Sequence, residues 1–436
     1  MTGKASGTQA IWTSVNKFDR WLTSTQGLSY DPYDAFGTRY GRWARRLYYR
    51  KNPLGIVSTA PLILMEVLCP SARGLFVSKD RFPTADAQLA LAFLNLSDAS
   101  GERTGRDGAT HSWLKKATQL AKGLLEQNVP GYSGFCWGYP FDWQNVSGLM
   151  PKGTPHITAT PYCYEVFTRL FDITGEPHYL DVARSIAVFV YKDLKDTPTA
   201  ADAAASSYTP HDHSKVINAS AYRSFVLFDA ARRFQQPGYF EKAHKNLQFI
   251  LQTQRPDGSW LYAIDSAPEA FIDHFHTCFV LKNLRKINRY LQNEEIDRAV
   301  HIGYGYYRKA LFDSADNPKT YAIAPRLEII QLEMYNVAEA ITLGSLLGEE
   351  NPEAFELAKT LVARLITQYQ LRAGHWVTRI YRGGIRHKVP FLRWPQSQLF
   401  LALTNFLVAT EKQQLAGNHA NQDQDTGRLV SQSERR

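Results

Sequence analysis

The segment FIDHFHTCFVL (residues 271–281) carries the densest set of proton-transfer groups in the chain. Asp273 lies three residues before His276, a spacing that puts both on one face of a helix. A carboxylate held against an imidazole fixes the ring and supports its protonated form, the equipment of general acid–base catalysis. The plainer alternative is that Asp273 caps a helix while His274 and His276 border the core. TPHDHSK (209–215) adds Asp212 and His213. The HxH and DHxH spacings match no diagnostic metal motif, so neither a metal ion nor another cofactor is expected.

Two chemistries fit these residue types. A glycosidase needs two carboxyl groups flanking the scissile bond, and Asp273 with Glu328 or Asp212 would supply them. A polysaccharide lyase or a uronate C5-epimerase needs a His or Tyr base and an arginine to neutralise the substrate carboxylate. His276, His213 and Tyr222 are candidate bases, and Arg326, Arg379, Arg382 and Arg393 are candidate carboxylate partners.

A repeated phrase indicates what positions these residues. GEPHYLDVA (175–183), QPGYFEKAH (236–244), NEEIDRAV (293–300) and NPEAFELA (351–358) each follow one apolar helical stretch and open another. Their aligned alanines, Ala183, Ala243, Ala299 and Ala358, are 60, 56 and 59 residues apart, with a weaker copy around Ala117. That period suits a helix pair plus loops. Apolar residues recur at helical spacing in 58–69, 84–97, 112–126, 160–173, 178–194, 216–234, 239–253, 268–290, 294–311, 326–347, 352–370 and 391–409. Short strand-like segments at 135–141, 259–264 and 375–381 follow the second helix of a unit, and their Trp137, Trp260 and Trp376 are expected to staple hairpins together.

The expected fold is all-α, an (α/α)6-like toroid of helical hairpins with short β segments at the hairpin ends. The apolar stretches APLILMEVL (60–68) and FLRWPQSQLFLALTNFL (391–407) are expected to meet where the ring closes. Residues 10–411 then form a single domain between disordered ends, 1–9 and 412–436. In such a ring the more apolar helix of each unit lies inside, and polar residues gather at its N-terminal end. His156, Asp212, His213, Asn218, Asp273, His274, His276, Arg326, Glu328, Arg393 and Trp394 would converge at one mouth, with Asp273, His274, His276 and Glu328 as the catalytic candidates. Helix N-termini there favour anions.

The formal charge of +9 is unevenly spread. Arg39, Arg42, Arg45, Arg46, Arg50 and Lys51 cluster without an acidic neighbour, and Leu357–Thr410 holds eight Lys or Arg and no Asp or Glu. Such runs attract anions. No nucleic-acid module signature is present, so an acidic polysaccharide is the expected partner. Four scattered cysteines, a polar N-terminal stretch and no transmembrane-length apolar run predict a cytoplasmic protein.

Two resemblances extend this reading. FILQTQRPDGSW (249–260) resembles the Gln–Gly–Trp repeat of terpenoid cyclases and prenyltransferases, which are also α/α toroids, although their DxDD and DDxxD motifs are absent. SYDPYDAFGT (29–38), INASAY (217–222), IDHFHTCFVLKNL (272–284) and VPFLRWPQSQLFLAL (389–403) resemble a family encoded in bacterial polysaccharide-biosynthesis clusters, with a six-hairpin glycosidase-like toroid. That resemblance implies a role in exopolysaccharide or glycan biosynthesis. DPYD (31–34) would cross the mouth as a loop, with Asp31 and Asp34 as polar contacts to the sugar. The activity expected is hydrolase, lyase or epimerase, with non-catalytic glycan binding as the alternative.

Overall fold

The computed structural model describes residues 2–101, 113–146, 148–264, 270–325 and 328–433. Helix α1 (Thr2–Thr25) is followed by an insertion containing α2 (Asp34–Gly37), α3 (Arg39–Tyr49) and α4 (Pro53–Leu68). Five hairpins come next: α5 (Pro83–Ala99) with α6 (Trp113–Glu126), α7 (Thr160–Thr174) with α8 (Pro177–Lys192), α9 (Ile217–Phe234) with α10 (Pro237–Gln252), α11 (His274–Leu291) with α12 (Glu294–Ala310), and α13 (Met334–Leu347) with α14 (Pro352–Arg364). The long α15 (Ser397–Ser433) ends the chain. α1 starts at Thr2 and α15 runs to Ser433, so both reach into the terminal stretches whose composition predicts disorder.

The expected α/α toroid is the fold. α5, α7, α9, α11, α13 and α15 form the inner ring, each packed on the next, and α15 returns to α5. Their burial explains the choice: α5 and α9 are buried around almost their whole circumference, whereas α8 and α10 bury one stripe.

The repeated phrase is the signal that turns an inner helix into an outer one. Inner helices end at left-handed Gly175, Gln235 and Gln292, which release the chain from the helix. The outer helix then starts with proline at its first turn (Pro177, Pro237, Pro352) or with an asparagine cap. Asn293 accepts from the amides of Glu295 and Ile296, and Asn351 from that of Ala354. The alanine of each phrase is buried, and at Ala358 the paired helices are so close that a Cβ on Gly344 would lie 2.8 Å from the alanine's own.

Ring closure rests on α1. Gln254 donates to the carbonyls of Gly258 and of Ala299 on α12; Gln370, in the equivalent turn, donates to those of Gly374 and of Ser14 on α1. The glycines match as well, since a Cβ on Gly258 would strike the Ile302 carbonyl and one on Gly374 that of Lys17. α1 therefore stands as the sixth outer helix. Phe18 of α1 lies 4.7 Å from both Trp376 and Phe400. Trp137 and Trp260 act as staples, each donating its indole N–H to a carbonyl near the end of the preceding outer helix, Leu124 and Ile250.

The closure corrects one expectation. APLILMEVL does not join the ring; it belongs to α4, outside the toroid. The other departures lie at the starts of inner helices. Residues 268–273 and 326–333, read as helix, hold strands instead where they are described. β5 (Ile272–Asp273) pairs antiparallel with β6 (Tyr321–Ile323), and β7 (Ile330–Glu333) with β8 (Arg379–Tyr381), which also pairs β9 (Arg386–His387). Two hairpins, β1 (Trp143–Asn145) with β2 (Gly148–Met150) and β3 (Asp196–Pro198) with β4 (Ala204–Ser206), complete the connections. β-branched and aromatic residues at these positions fit strands that deliver the chain into the ring.

Gly131 (φ +92°) has open space around it, whereas Gly374 (φ +112°) abuts the backbone of α1. Gly131→Ala should cost about 1 kcal/mol, the backbone strain alone, and Gly374→Ala about 3 kcal/mol, because α1 must also shift. Urea denaturation of the two variants measures the difference, and equal losses would remove α1 from the closure.

Candidate active site

The mouth is built from the segments that feed the inner helices. Asp273 is both cap and partner. Its Oδ1 accepts from the His276 amide at 3.0 Å, and its Oδ2 from His276 Nδ1 at 2.6 Å. Asp273 is buried, and the His276 side chain is 22% exposed, so the ring reaches the mouth from a fixed base. Nε2 then remains for a ligand. The capping and catalytic readings therefore describe one geometry.

A small pocket beside His276 is lined by Asn218, Trp260, Tyr262, Asp273, Thr277 and Val280, among others. Asn218 is 1% exposed, and neither its amide oxygen nor its amide nitrogen has a hydrogen-bond partner among the described residues. Buried amides are ordinarily satisfied, and the pocket beside this one, about 10 Å³, has room for one water molecule.

Aromatic rings continue around the wall. Phe275 meets Trp394 edge-on at 5.2 Å, and Trp394 stacks on Tyr335 at 4.0 Å. Tyr33 joins Trp394 to Trp143, and Tyr139 joins Trp143 to His156. On the other side of His276, Tyr262 lies 4.5 Å away. Rings with an apolar face and a polar edge are suited to pyranose faces. The sequence reading missed this belt because aromatic residues taken singly read as core. Only Phe275, Tyr335 and Trp394 stand within or just before the first turn of an inner helix; Tyr33, Tyr139, Trp143 and Tyr262 come from the insertion and the connecting loops.

Several expected site residues have other duties. His274 is fully buried and points toward α12, with Nδ1 3.2 Å from the Leu311 carbonyl and Nε2 2.7 Å from the Tyr307 hydroxyl. Burial pulls its pKa down to about 3, so it is a neutral structural group rather than a catalytic one. His156 is likewise buried between Tyr139 and Tyr208, and burial followed by the Arg393 charge pulls it to about 3. Asp212 spends its carboxylate on its own loop, accepting from the Tyr208, Thr209 and Ser214 amides and from two hydroxyls. His213 beside it is exposed. Tyr222 shares a hydroxyl contact of 3.2 Å with Tyr162.

Asp31 and Asp34 do form a loop at the mouth, but as buried counter-charges. Asp31 takes a bidentate pair from Arg393, at 2.5 and 2.8 Å. Burial opposes the Arg393 charge, and Asp31 more than restores it. Asp34 receives Arg73 at 2.9 Å, although burial still lifts its carboxyl to about 6. Arg393 therefore carries no spare charge toward a ligand. Of the remaining carboxylates, Glu333 pairs with Arg379 at 3.1 Å and Glu165 with Lys286 at 2.5 Å, while Glu339 pairs with Lys282. Burial raises Glu333, and the half-buried Glu328 adds to that rise by its charge. Arg326 lies outside the described residues.

Among the described residues no cluster of three or more His, Cys, Asp or Glu forms a metal-binding group, and the four cysteines are free thiols. No helix among them is long and apolar enough to cross a membrane.

An inner ring of helices closed on itself defines the class as an α/α toroid. No family model matches the chain, and no curated protein matches it either. Solved structures do. An unsaturated glucuronyl hydrolase specific for heparin matches with TM-score 0.61 over 94% of this chain and 98% of its own, at 11% identity. The cellobiose 2-epimerase of Spirochaeta thermophila matches with TM-score 0.57, 14% identity, and 77% and 88% coverage. A family 76 glycoside hydrolase from a bovine Bacteroides thetaiotaomicron strain gives TM-score 0.55, 12% identity, and 76% and 69% coverage. The architecture is shared with toroidal glycosidases and epimerases.

His156 and His274 make the fold sensitive to acid. Both stay neutral in the fold down to about pH 3 but take up protons near pH 6.5 when unfolded. Unfolding thus binds protons between those values, so stability is full above pH 6.5 and falls as pH drops toward 3. Each group contributes a slope of roughly 1.4 kcal/mol per pH unit at most. Urea midpoints between pH 7 and 4 should fall for the wild type and more gently for His274→Gln; an unchanged slope in that variant would contradict the assignment.

Proposed function

We propose that this protein is a carbohydrate-active enzyme that moves a proton on a glycan held in the aromatic mouth. His276 is the acid/base, and Asp273 positions and supports it. The observation that carries the reading is the fixed Asp273–His276 pair beside the unpartnered Asn218 amide. Sugar-acting hydrolases and an epimerase among the similar folds support the substrate class.

The pairing pattern favours epimerase or lyase chemistry over hydrolysis. Hydrolysis needs a second carboxyl group to act on the anomeric carbon or its water. Asp273 is committed to His276, and Asp31, Asp212 and Glu333 to cations or loop amides, so hydrolysis would have to use Glu328, half-buried near Glu333. Removing a proton from carbon beside a carbonyl or carboxylate needs a base, the role of His276; elimination lets the same group protonate the leaving oxygen, whereas epimerisation needs a second donor on the opposite face. Arg326 is the candidate partner for a uronate carboxylate, since Asp31 neutralises Arg393. A place in polysaccharide biosynthesis rests on the four phrases given above.

Asparagine caps helices as well as aspartate does, so Asp273→Asn should leave stability nearly unchanged. It should lower turnover about 100-fold, as should His276→Ala. The assay incubates neutral and uronate-rich polysaccharides and oligosaccharides in deuterated water. It follows solvent deuterium in the sugar, ultraviolet absorbance of unsaturated products, and new reducing ends. Reducing ends without deuterium would favour hydrolysis; binding with none of the three signals would make the protein a glycan-binding one.

A further inference from the structure

The α3–α4 hairpin has its polarity reversed. The face of α4 turned to solvent carries Leu54, Ile56, Val57, Ile63, Leu64 and Leu68, each 42–68% exposed. They recur at three-to-four spacing along the helix, as a core stripe would. The opposite face buries Gly55, Ser58 and Thr59 against α3, and both hydroxyls satisfy themselves on the Gly55 carbonyl. Glu66, the one ionisable side chain of α4, pairs with the fully buried Arg73. Leu75 and Phe76, just beyond the helix, are exposed too, at 88% and 48%. A continuous apolar surface of this kind marks a binding face.

The hairpin cannot hide that face by turning. Gly55 packs on the Tyr48 backbone, and the Tyr40 hydroxyl donates to the Ser58 carbonyl. Arg42 pairs with Asp142, and Arg45 lies over Phe36 at 4.3 Å. Arg73 ties the insertion to Asp34 and to the Asp31 carbonyl at the mouth.

Charge identifies the occupant. Residues 35–65 hold no acidic residue, and Arg39, Arg46, Arg50 and Lys51 are exposed on or just after α3 with no ion-pair partner among the described residues. Between them stand Tyr40 and Trp43, 45% and 49% exposed, with rings 5.8 Å apart. Cations, interfacial aromatics and an apolar helix side by side are what an anionic membrane surface recruits. A two-fold pairing with a second copy would set this arginine cluster against itself. The undescribed stretches, 102–112, 265–269 and 326–327 among them, offer no apolar run to cover it from within.

We propose that the α3–α4 hairpin docks this protein onto an anionic lipid bilayer. α4 lies in the interfacial plane, and the exposed cations of α3 meet the phosphate headgroups. At 16 residues the helix is roughly 24 Å long, short of the hydrocarbon thickness, so it rests on the bilayer rather than spanning it.

Vesicle flotation of the full chain tests this. The protein should float with phosphatidylcholine–phosphatidylglycerol vesicles, lose binding as salt rises, and stay behind with phosphatidylcholine alone. Val57→Asp with Leu64→Asp, and separately Arg46→Glu with Arg50→Glu, should each lower the bound fraction about ten-fold with an unchanged melting temperature. No flotation on either vesicle would overturn the proposal, as would full binding by both folded variants. Equal flotation on neutral vesicles would overturn the anionic assignment. Light scattering that shows a dimer split by the aspartates would assign the face to a second copy instead.

Discussion

A ring of hairpins is stable only if its two ends meet, and here they meet through α1. The first helix fills the outer place between α14 and α15, and Phe18 enters between Trp376 and Phe400. Without it α15 would present an apolar flank to water and the Gln370 turn would lose its acceptor at Ser14. Closure spares the toroid the polar terminal caps that an open stack of hairpins requires. It also makes the N-terminal helix and the C-terminal inner helix one structural unit, although the whole chain separates them.

Closure fixes the mouth as well. Because the inner helices run parallel, their first turns come together, and each brings polar side chains into a crowded, poorly hydrated space. The chain answers by pairing almost every charge there: Asp31 with Arg393, Asp34 with Arg73, Glu333 with Arg379 and Lys282 with Glu339. Isolated buried charges would be far more costly than these pairs. Against that background the Asp273–His276 pair stands out, because its imidazole uses only Nδ1 on the carboxylate and lines the pocket. The aromatic belt then supplies attraction for a sugar without adding unpaired charge.

Much of the architecture was legible along the chain. The spaced alanines marked inner-to-outer transitions because a proline or asparagine start and a left-handed stop are local chemistry. The buried indoles of Trp137 and Trp260 were foreseeable for the same reason, as each answers a carbonyl only ten to thirteen residues back. Asp273 and His276 were visible because three residues on one helix determine a contact. His274, one position away from that face, was not separable from them; only the packing of α12 shows that it belongs to Tyr307 and Leu311.

What the sequence by itself determined, then, were the features set by near neighbours: helix starts and stops, the period, and the acid–imidazole spacing. Tertiary structure decided which charges are free. Asp31 and Arg393 are 362 residues apart, and no local pattern announces that one cancels the other. The same holds for APLILMEVL, whose apolar residues read as ring material. Only the packed structure shows their stripe facing outward, because α3 offers its partner face to the hydroxyl side of the helix and leaves the apolar side uncovered.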